Sequence, residues 1–363
     1  MKRFLVIGFF FLFVFGSCSS GGKMVQEGSS TKGLREFLVR ISGQAILFGH
    51  QDDLAYGIGW KAVPGQSDVK RTSGSYPSVF GWEIGNIGDA TNLDGVPFDS
   101  IRDYIQRAYR MGGINTISWH ARYPVTGFDA WNLTSIEVSS LLPGGESHDL
   151  LVKELDLVAG FLASLKDDSG NPIPVIFRPW HEMYGSWFWW GSATCSSEEY
   201  RQLFRFTVDY LRNKKGLNNL LIAFSPDKGF DTKEEYLARY PGDDVVDVLG
   251  FDDYGDFKQN RLDWVVIKLG IVADLAREKG KISAFTETGS DRLEIPNWYT
   301  SNLLQVLNAS EKTRNISYVL VWRNKDLSHF FVPAPDHPQS DDFRTFVNDK
   351  LIFLLDDVKT MNQ

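Results

Sequence analysis

The amino-acid sequence predicts an α/β protein built as a single (β/α)8 barrel of the TIM type. Three observations support this fold class: eight short apolar runs recur along the 363 residues, helical segments lie between most of them, and nearly every run ends in polar or aromatic side chains. Apolar strands that alternate with helices indicate a parallel sheet covered on both faces. Eight such units favour a closed barrel, in which the strand ends converge on the face that carries the active site.

The eight β-rich runs define the predicted strands. An open doubly wound sheet is the alternative arrangement, but neither a G-x-G-x-x-G sequence nor a P-loop follows any run. The predicted strands are Gln44–His50, Ser78–Gly85, Ile114–His120, Pro174–Glu182, Leu220–Asp227, Val245–Tyr254, Lys281–Gly289 and Ser317–Asn324.

Amphipathic segments between the strands predict the helices. The helical pattern is least clear before Ser78. The predicted helices are Phe98–Arg110, His148–Lys166, Ser197–Lys214, Lys233–Arg239, Leu262–Lys279 and Pro296–Glu311.

The first 18 residues read as a targeting segment. Lys2 and Arg3 precede the apolar run Phe4–Phe15, which is too short to span a bilayer and is typical of a signal peptide. The Gly-Ser-Cys sequence that ends at Cys18 resembles a bacterial lipobox, which implies cleavage before Cys18 and a lipid anchor on its thiol. An ordinary signal peptide cut nearby is the alternative.

The domain assignment follows from this segment. Residues 1–18 are the predicted lipoprotein-type signal peptide, residues 19–33 a flexible tether, and residues 34–363 the catalytic barrel. No acidic cluster follows Cys18, which favours the periplasm over the cell surface for the anchored protein.

Composition excludes several classes of partner. The net charge is −8 and no basic run is present, so we expect no nucleic-acid partner. Neither H-E-x-x-H nor a D-x-D-x-D-G loop occurs, so we expect no metal and no organic cofactor. We also expect a monomer. The 11 Trp residues could belong to the core, but flat rings are also what a carbohydrate groove requires.

Two glutamates are the candidate catalytic pair. Glu182 ends the fourth predicted strand and Glu287 closes the seventh, so in a barrel their carboxyl groups can face each other across a cleft. Hydrolysis of a glycoside needs such a pair, with one acid that protonates the leaving oxygen and one carboxylate opposite. Strand alternation further predicts that Arg178, Trp180 and Glu182 share one face. The alternative to a catalytic role for either glutamate is a structural ion pair with an arginine such as Arg178 or Arg323.

The chain resembles glycoside hydrolase family 26 from about residue 34 to its C-terminus. The motifs that carry the resemblance are F-G-H-Q-D-D at 48–53, W-H at 119–120, R-P-W-H-E-M at 178–183, T-E-T-G at 286–289 and W-R at 322–323. The resemblance implies that Glu182 is the acid/base and Glu287 the nucleophile. It also implies retention of configuration and a preference for β-1,4-linked mannan, so we expect an endo-acting glycoside hydrolase, a mannan endo-1,4-β-mannosidase.

The resemblance also suggests substrate contacts. It implies that Tyr254 contacts the nucleophile, that Trp187 and Trp322 stack on sugars, and that His120 and Arg323 reach the neighbouring non-reducing-side sugar. The expected substrate-binding residues are His120, Trp119, His181, Trp187, Tyr254, Trp322 and Arg323.

Three questions stay open at this stage. The motifs are shared with enzymes that cut mixed-linkage β-glucan or β-1,3-xylan, so the glycan is not decided. A catalytically silent lipoprotein that captures carbohydrate is a further alternative. Long loops at 52–77, 86–97 and 121–147 could close one end of the cleft and release mannobiose, or could deepen an open cleft.

Overall fold

The computed structural model describes residues 30–361 and confirms the predicted (β/α)8 barrel. Eight parallel strands pair in sequence order, and the eighth pairs with the first to close the sheet. The strands are β1 (Ile46–Gln51), β2 (Val79–Glu83), β3 (Ile114–Trp119), β4 (Val175–Pro179), β5 (Leu220–Phe224), β6 (Val248–Leu249), β7 (Ile282–Thr288) and β8 (Tyr318–Val321).

Helices surround the barrel and connect its strands. They are α1 (Thr31–Ile41), α2 (Asp68–Ser73), α3 (Phe98–Arg110), α4 (His148–Ser164), α5 (Ser197–Asp209), α6 (Lys233–Leu237), α7 (Gly255–Lys258), α8 (Leu262–Lys279), α9 (Gln305–Leu307), α10 (Glu311–Arg314), α11 (Ser340–Val347) and α12 (Leu355–Thr360). Single π-helical turns, Tyr210–Lys214 and Trp298–Leu304, continue α5 and precede α9.

Every predicted strand overlaps an observed strand, but two boundaries differ in a way that matters for the site. The fourth strand ends at Pro179, three residues before the predicted end, because Pro has no N–H for the ladder and Trp180 adopts a positive φ of 52°. The sixth is interrupted: after Val248–Leu249 the backbone pairs again only at Asp252–Asp253.

Helix α1 closes the end of the barrel where the strands begin. Its buried face, Leu34, Leu38 and Ile41, packs in one cluster with alternate strand residues such as Leu47 and Ile176. Ser30 caps the helix by accepting a hydrogen bond from the Gly33 N–H at 3.0 Å. The sequence analysis did not predict α1, and the predicted tether overlaps its first three residues.

The remaining N-terminal predictions lie outside the described residues. These are the signal peptide, Cys18 and the tether up to residue 29. Within residues 30–361, no helix has the length and apolar character that crossing a membrane requires.

Candidate active site

Glu182 follows β4 on a backbone that has left the strand conformation. Trp180 and Glu182 have φ angles of 52° and 56°, in the left-handed region that costs a non-glycine residue roughly 1–2 kcal/mol. The Glu182 N–H donates to the Ser225 carbonyl at 2.8 Å, which fixes this segment against the end of β5. The positive φ angles therefore mark the point after β4 at which strand alternation no longer determines side-chain direction.

The prediction that Arg178, Trp180 and Glu182 share one face is wrong for Trp180, whereas the charged groups of Arg178 and Glu182 both lie at the mouth of the barrel. Trp180 points into the layer between strands and helices, where its indole N–H donates to the Thr207 hydroxyl of α5 at 3.0 Å. Trp119 lies in the same layer, 1% exposed, with its ring 4.7 Å from that of Trp180. The structure thus does not bring Trp119 to the cleft with the other predicted binding residues.

Glu287 is held by two donors. The Tyr254 hydroxyl donates to one carboxylate oxygen at 2.7 Å, and the Arg178 guanidinium donates to the other. Arg178 also pairs with Asp252 at 2.5 Å. Although burial opposes the charge on Arg178, these carboxylates raise its pKa, so it remains a cation. The contact of Tyr254 with Glu287 is the one that the resemblance implied.

Asp252 is the second partner of Arg178 and lies fully inside the protein. Its other carboxylate oxygen accepts from Ser225 at 2.8 Å and from Thr286 at 2.7 Å. Burial raises the pKa of Asp252 to about 7; Arg178 opposes this rise and Glu287 adds to it. One guanidinium therefore serves two carboxyl groups, and Glu287 is the one that lies beside Tyr254.

The environment of Glu182 favours its protonated form. Burial raises the pKa of Glu182 well above its ordinary value, and the negative charges of Glu287, Asp252 and Asp227 add to the rise. A hydrogen bond from the Trp187 indole N–H at 2.8 Å opposes it. Trp187 is 40% exposed, so its ring lies at the open cleft beside the carboxyl group.

Two histidines meet behind these groups. The Nδ1 atom of His120 lies 2.7 Å from the Glu83 carboxylate, and its Nε2 atom lies 3.2 Å from Nε2 of His181. His120 is 8% exposed and His181 only 1%. The structure therefore places both residues next to the cleft but leaves most of their surface inside its wall.

Three loops meet at the side of the mouth formed by β1, β2 and β8. Arg323 pairs with Asp94 at 2.6 Å and donates a longer hydrogen bond to the Tyr56 hydroxyl at 3.4 Å. Tyr56 in turn donates to Asp52 at 2.5 Å. Trp322, partly buried, has its ring 6.1 Å from that of His120. Arg323 and Trp322 thus line the same side of the cleft as His120.

Sequence reasoning missed several residues that the structure adds to the site. Glu83 is one of the polar residues that end the predicted strands, but no function was inferred for it from the sequence. Trp131 stacks on the His120 ring with centroids 5.1 Å apart and an interplanar angle of 17°. It belongs to the long loop at 121–147, where only loop length pointed to function. The contact of Asp94 with Arg323 has no signature in the sequence.

The arrangement suits acid–base and nucleophilic chemistry. Glu182, whose surroundings favour the acid, follows β4 beside the Trp187 ring, and the anchored carboxylate of Glu287 lies on β7. In residues 30–361, no three His, Cys, Asp or Glu side chains are grouped so that they could hold a metal ion. The residues that hold Glu287 are an arginine and a tyrosine.

Comparisons with known proteins agree with this geometry. The sequence profile described as Glycosyl hydrolase family 26 matches residues 25–302. A mannan endo-1,4-beta-mannosidase from Bifidobacterium adolescentis is 36% identical over 333 residues, which is 85% of this chain and 33% of that protein. The chain spans 33%, 44% and 52% of the length of three curated relatives that it matches.

Solved structures share the whole barrel. A GH26 beta-mannanase from Bacteroides ovatus is similar with a TM-score of 0.85 at 42% identity, over 93% of this chain and 96% of that chain. The catalytic domain of a GH26 endo-beta-1,4-mannanase from Bacillus sp. JAMB-750 gives a TM-score of 0.85 at 33% identity, over 94% of both chains.

Replacing Arg178 with Met should destabilise the fold because Asp252 and Glu287 lose their shared cation. Removing one partner of a buried ion pair costs about 3–5 kcal/mol in the free energy of unfolding. Arg178 lowers the pKa of Asp252, so this pKa rises in the folded variant; the loss is therefore smallest at low pH, where Asp252 is protonated, and grows as pH rises. Urea unfolding at pH 5 and pH 8 measures both effects.

The matched control is Arg205→Met. Arg205 makes a bidentate pair with Asp244 on the surface, which should be worth at most about 1 kcal/mol. A loss in Arg178→Met no larger than in this control, or equal losses at the two pH values, would contradict the role given to Arg178.

Proposed function

Because the chain belongs to glycosyl hydrolase family 26, we propose that it hydrolyses the β-1,4-mannosidic linkages of mannan and galactomannan with retention of configuration. The observation that carries the proposal is the pairing of Glu182, whose surroundings favour the acid, with Glu287, whose carboxylate is fixed by Arg178 and Tyr254. The mannanases named among the relatives support the choice of mannan.

The proposed reaction has two steps. In the first, a Glu287 oxygen attacks the anomeric carbon while Glu182 transfers its proton to the departing glycosidic oxygen, which leaves a glycosyl–Glu287 ester. In the second, water attacks the anomeric carbon, Glu182 takes up the water proton, and the ester bond breaks. Arg178 and Tyr254 keep one Glu287 conformation in both steps, which reduces the reorganisation that each step needs.

The aromatic residues of the cleft are proposed to position the sugar rings. Trp187 presents an exposed ring next to Glu182, and Trp322 lies near His120 on the other side. Stacking of rings on the apolar faces of sugars supplies binding area at low cost in side-chain entropy. His120, His181 and Arg323 are proposed to support the non-reducing side, where Arg323 carries the most accessible polar group of the three.

We propose that the enzyme attacks mannan in the endo mode, as the names of its relatives suggest, with release of mannobiose from chain ends as the alternative. The ties between Arg323, Asp94 and Tyr56 join three loops at one end of the cleft. Loops that are fixed to one another in this way would favour a short, closed binding region, which is the observation that supports the alternative. Loops that only deepen an open cleft leave the endo mode in place.

We also propose that the chain is secreted and anchored through a lipid on Cys18, facing the periplasm, and that it acts as a monomer. The support is the lipobox-like sequence before Cys18. Incorporation of a labelled fatty acid into the full chain should occur, and Cys18→Ala should abolish it. Label retained by this variant would contradict the anchor.

A product time course tests the activity. Purified protein should release only manno-oligosaccharides from β-1,4-mannan and galactomannan, and nothing from mixed-linkage β-glucan or β-1,3-xylan. Early accumulation of mannobiose supports attack near a chain end, whereas an early fall in viscosity supports endo attack. Glu287→Ala is the control and should be inactive; azide should rescue it through a glycosyl azide of inverted configuration.

Other outcomes of the time course are equally clear. Cleavage of a different glycan would keep the mechanism and change the substrate. No cleavage of any glycan by the wild type would favour the sugar-capture alternative and remove the catalytic roles of both glutamates.

The pH profile tests the role of Glu182 as the acid. The alkaline limb of kcat/KM reports the pKa of the essential acid in the free enzyme. Trp187→Phe removes a hydrogen bond that lowers the pKa of Glu182, so this limb should move to higher pH. Asp227→Asn removes a charge that raises the same pKa, so the limb should move to lower pH.

Asp231→Asn provides the control for this experiment. Asp231 lies four positions after Asp227 in the sequence. It is exposed and pairs with Lys268 at 3.5 Å. Its replacement should leave the limb in place. A limb that shifts in the same direction in Trp187→Phe and Asp227→Asn would rule out Glu182 as the group that titrates.

A further inference from the structure

Glu83 is a buried carboxylate to which the proposed reaction gives no role. At the end of β2 it is fully enclosed, and both of its oxygens accept hydrogen bonds. The donors are the backbone N–H groups of Gly85 and His120, the Ser118 hydroxyl at 2.7 Å, and Nδ1 of His120 at 2.7 Å. Within residues 30–361 its only ion-pair partner is His120. Since an isolated buried carboxylate is very costly, a positive charge on His120 would compensate Glu83 at the shortest range.

A charged His120 determines the state of His181. The two Nε2 atoms lie 3.2 Å apart, so one must donate and the other accept. An imidazolium at His120 donates, and His181 is then neutral with its proton on Nδ1. Burial, Arg178 and His120 lower the pKa of His181 well below its ordinary value, which agrees with a neutral ring.

We propose that Glu83 is a positioning residue that keeps His120 as an imidazolium, and that this fixed charge orients His181 beside Glu182 and holds the Trp131 loop on the cleft wall. The effect on turnover rests on the proposed hydrolase activity. The effect on the protonation of His120 does not.

The rings around His120 fit a cation. Trp131 stacks on one face of the imidazole, and Phe188 and Trp322 meet it edge-on at 5.3 and 6.1 Å. A cation on an aromatic face gains about 0.5–2 kcal/mol, more when water is excluded. Trp131 is itself 48% exposed and belongs to the loop at 121–147, so the stack ties this loop to β3.

Some of the groups around His120 raise its pKa and others lower it. Burial disfavours the imidazolium, and Arg178 on β4 also opposes it. Glu83 on β2 and Glu287 on β7 favour it and together raise the pKa of His120 above its ordinary value. Asp94, in the loop after β2, is a further carboxylate that interacts with His120. The neutral His181 accepts a hydrogen bond from the Nε2–H group of His120.

The substitution Glu83→Gln removes the negative charge of Glu83 and keeps a side chain of nearly the same shape. The amide oxygen can still accept from the N–H groups of Gly85 and His120. The amide NH2 cannot accept from Nδ1 of His120, so His120 must become neutral and keep its proton on Nε2. The hydrogen bond to His181 then persists while the positive charge is lost.

The test uses the full chain labelled with 15N-histidine and followed by NMR as a function of pH. In the wild type we expect His120 to carry protons on both ring nitrogens at pH 7 and His181 to carry one, on Nδ1. In Glu83→Gln, His120 should be neutral. The kcat/KM on manno-oligosaccharides should fall about 10- to 100-fold, the range found for outer partners of functional histidines.

The matched control is Asp53→Asn. Asp53 forms a second buried carboxylate–histidine pair, with Nδ1 of His50 at 2.7 Å, and contacts none of the catalytic groups. It should change kcat/KM by no more than about twofold, as expected for independent sites. Comparison at equal loss of thermal stability then separates the charge of His120 from general destabilisation.

Two results overturn the proposal: a wild-type His120 that titrates at the ordinary histidine value, or a neutral His120 in Glu83→Gln with unchanged kcat/KM. If Glu83→Gln does not fold, the wild-type titration alone decides the charge of His120. If the wild type hydrolyses no glycan, the proposed function fails, whereas the NMR spectra still decide whether Glu83 keeps His120 charged.

Discussion

The guanidinium of Arg178 is the contact on which the rest of the cleft depends. It emerges from β4 and binds carboxylates that belong to the sixth and seventh strands, so one side chain connects three strands across the mouth. Arg178 supplies the opposite charge that Glu287 needs inside the protein. Burial and the negative charge of Glu287 raise the pKa of Glu182. The two glutamates therefore differ in their surroundings, because only Glu287 touches the cation.

The backbone after β4 determines how the side chains of this segment are oriented. Trp180 and Glu182 both have backbone conformations in the left-handed region. The Trp180 indole lies in the outer layer, and the Glu182 carboxyl group lies at the cleft. The outer layer here is densely aromatic, because the Trp180 ring packs against those of Trp119, Trp189 and Trp190 at centroid distances of up to 5.5 Å. Tight aromatic packing can sustain strain of a few kcal/mol at a functional segment.

Much of the fold and the position of the catalytic pair followed from the sequence, because hydrophobic runs and strand-end polarity are local signals. The eight strands were predicted within a few residues, and so was helix α8. Helix α1 was not, because its apolar face is short and acquires meaning only beneath a closed barrel. The orientation of Trp180 could not be predicted, since alternation holds only while the strand continues. Glu83 was visible as a strand end, but its importance depends on a partner 37 residues away.

Helix α1 has a consequence for the topology of the protein at a surface. It covers the pole of the barrel opposite the catalytic mouth, and eleven residues lie between Cys18 and Ser30. The twelve Cα–Cα steps from Cys18 to Ser30 span at most about 40 Å. A lipid on Cys18, as proposed, would therefore hold the closed pole within that distance of the bilayer. The attachment would lie at the end of the barrel away from the catalytic mouth, so the lipid would not occupy the substrate's approach.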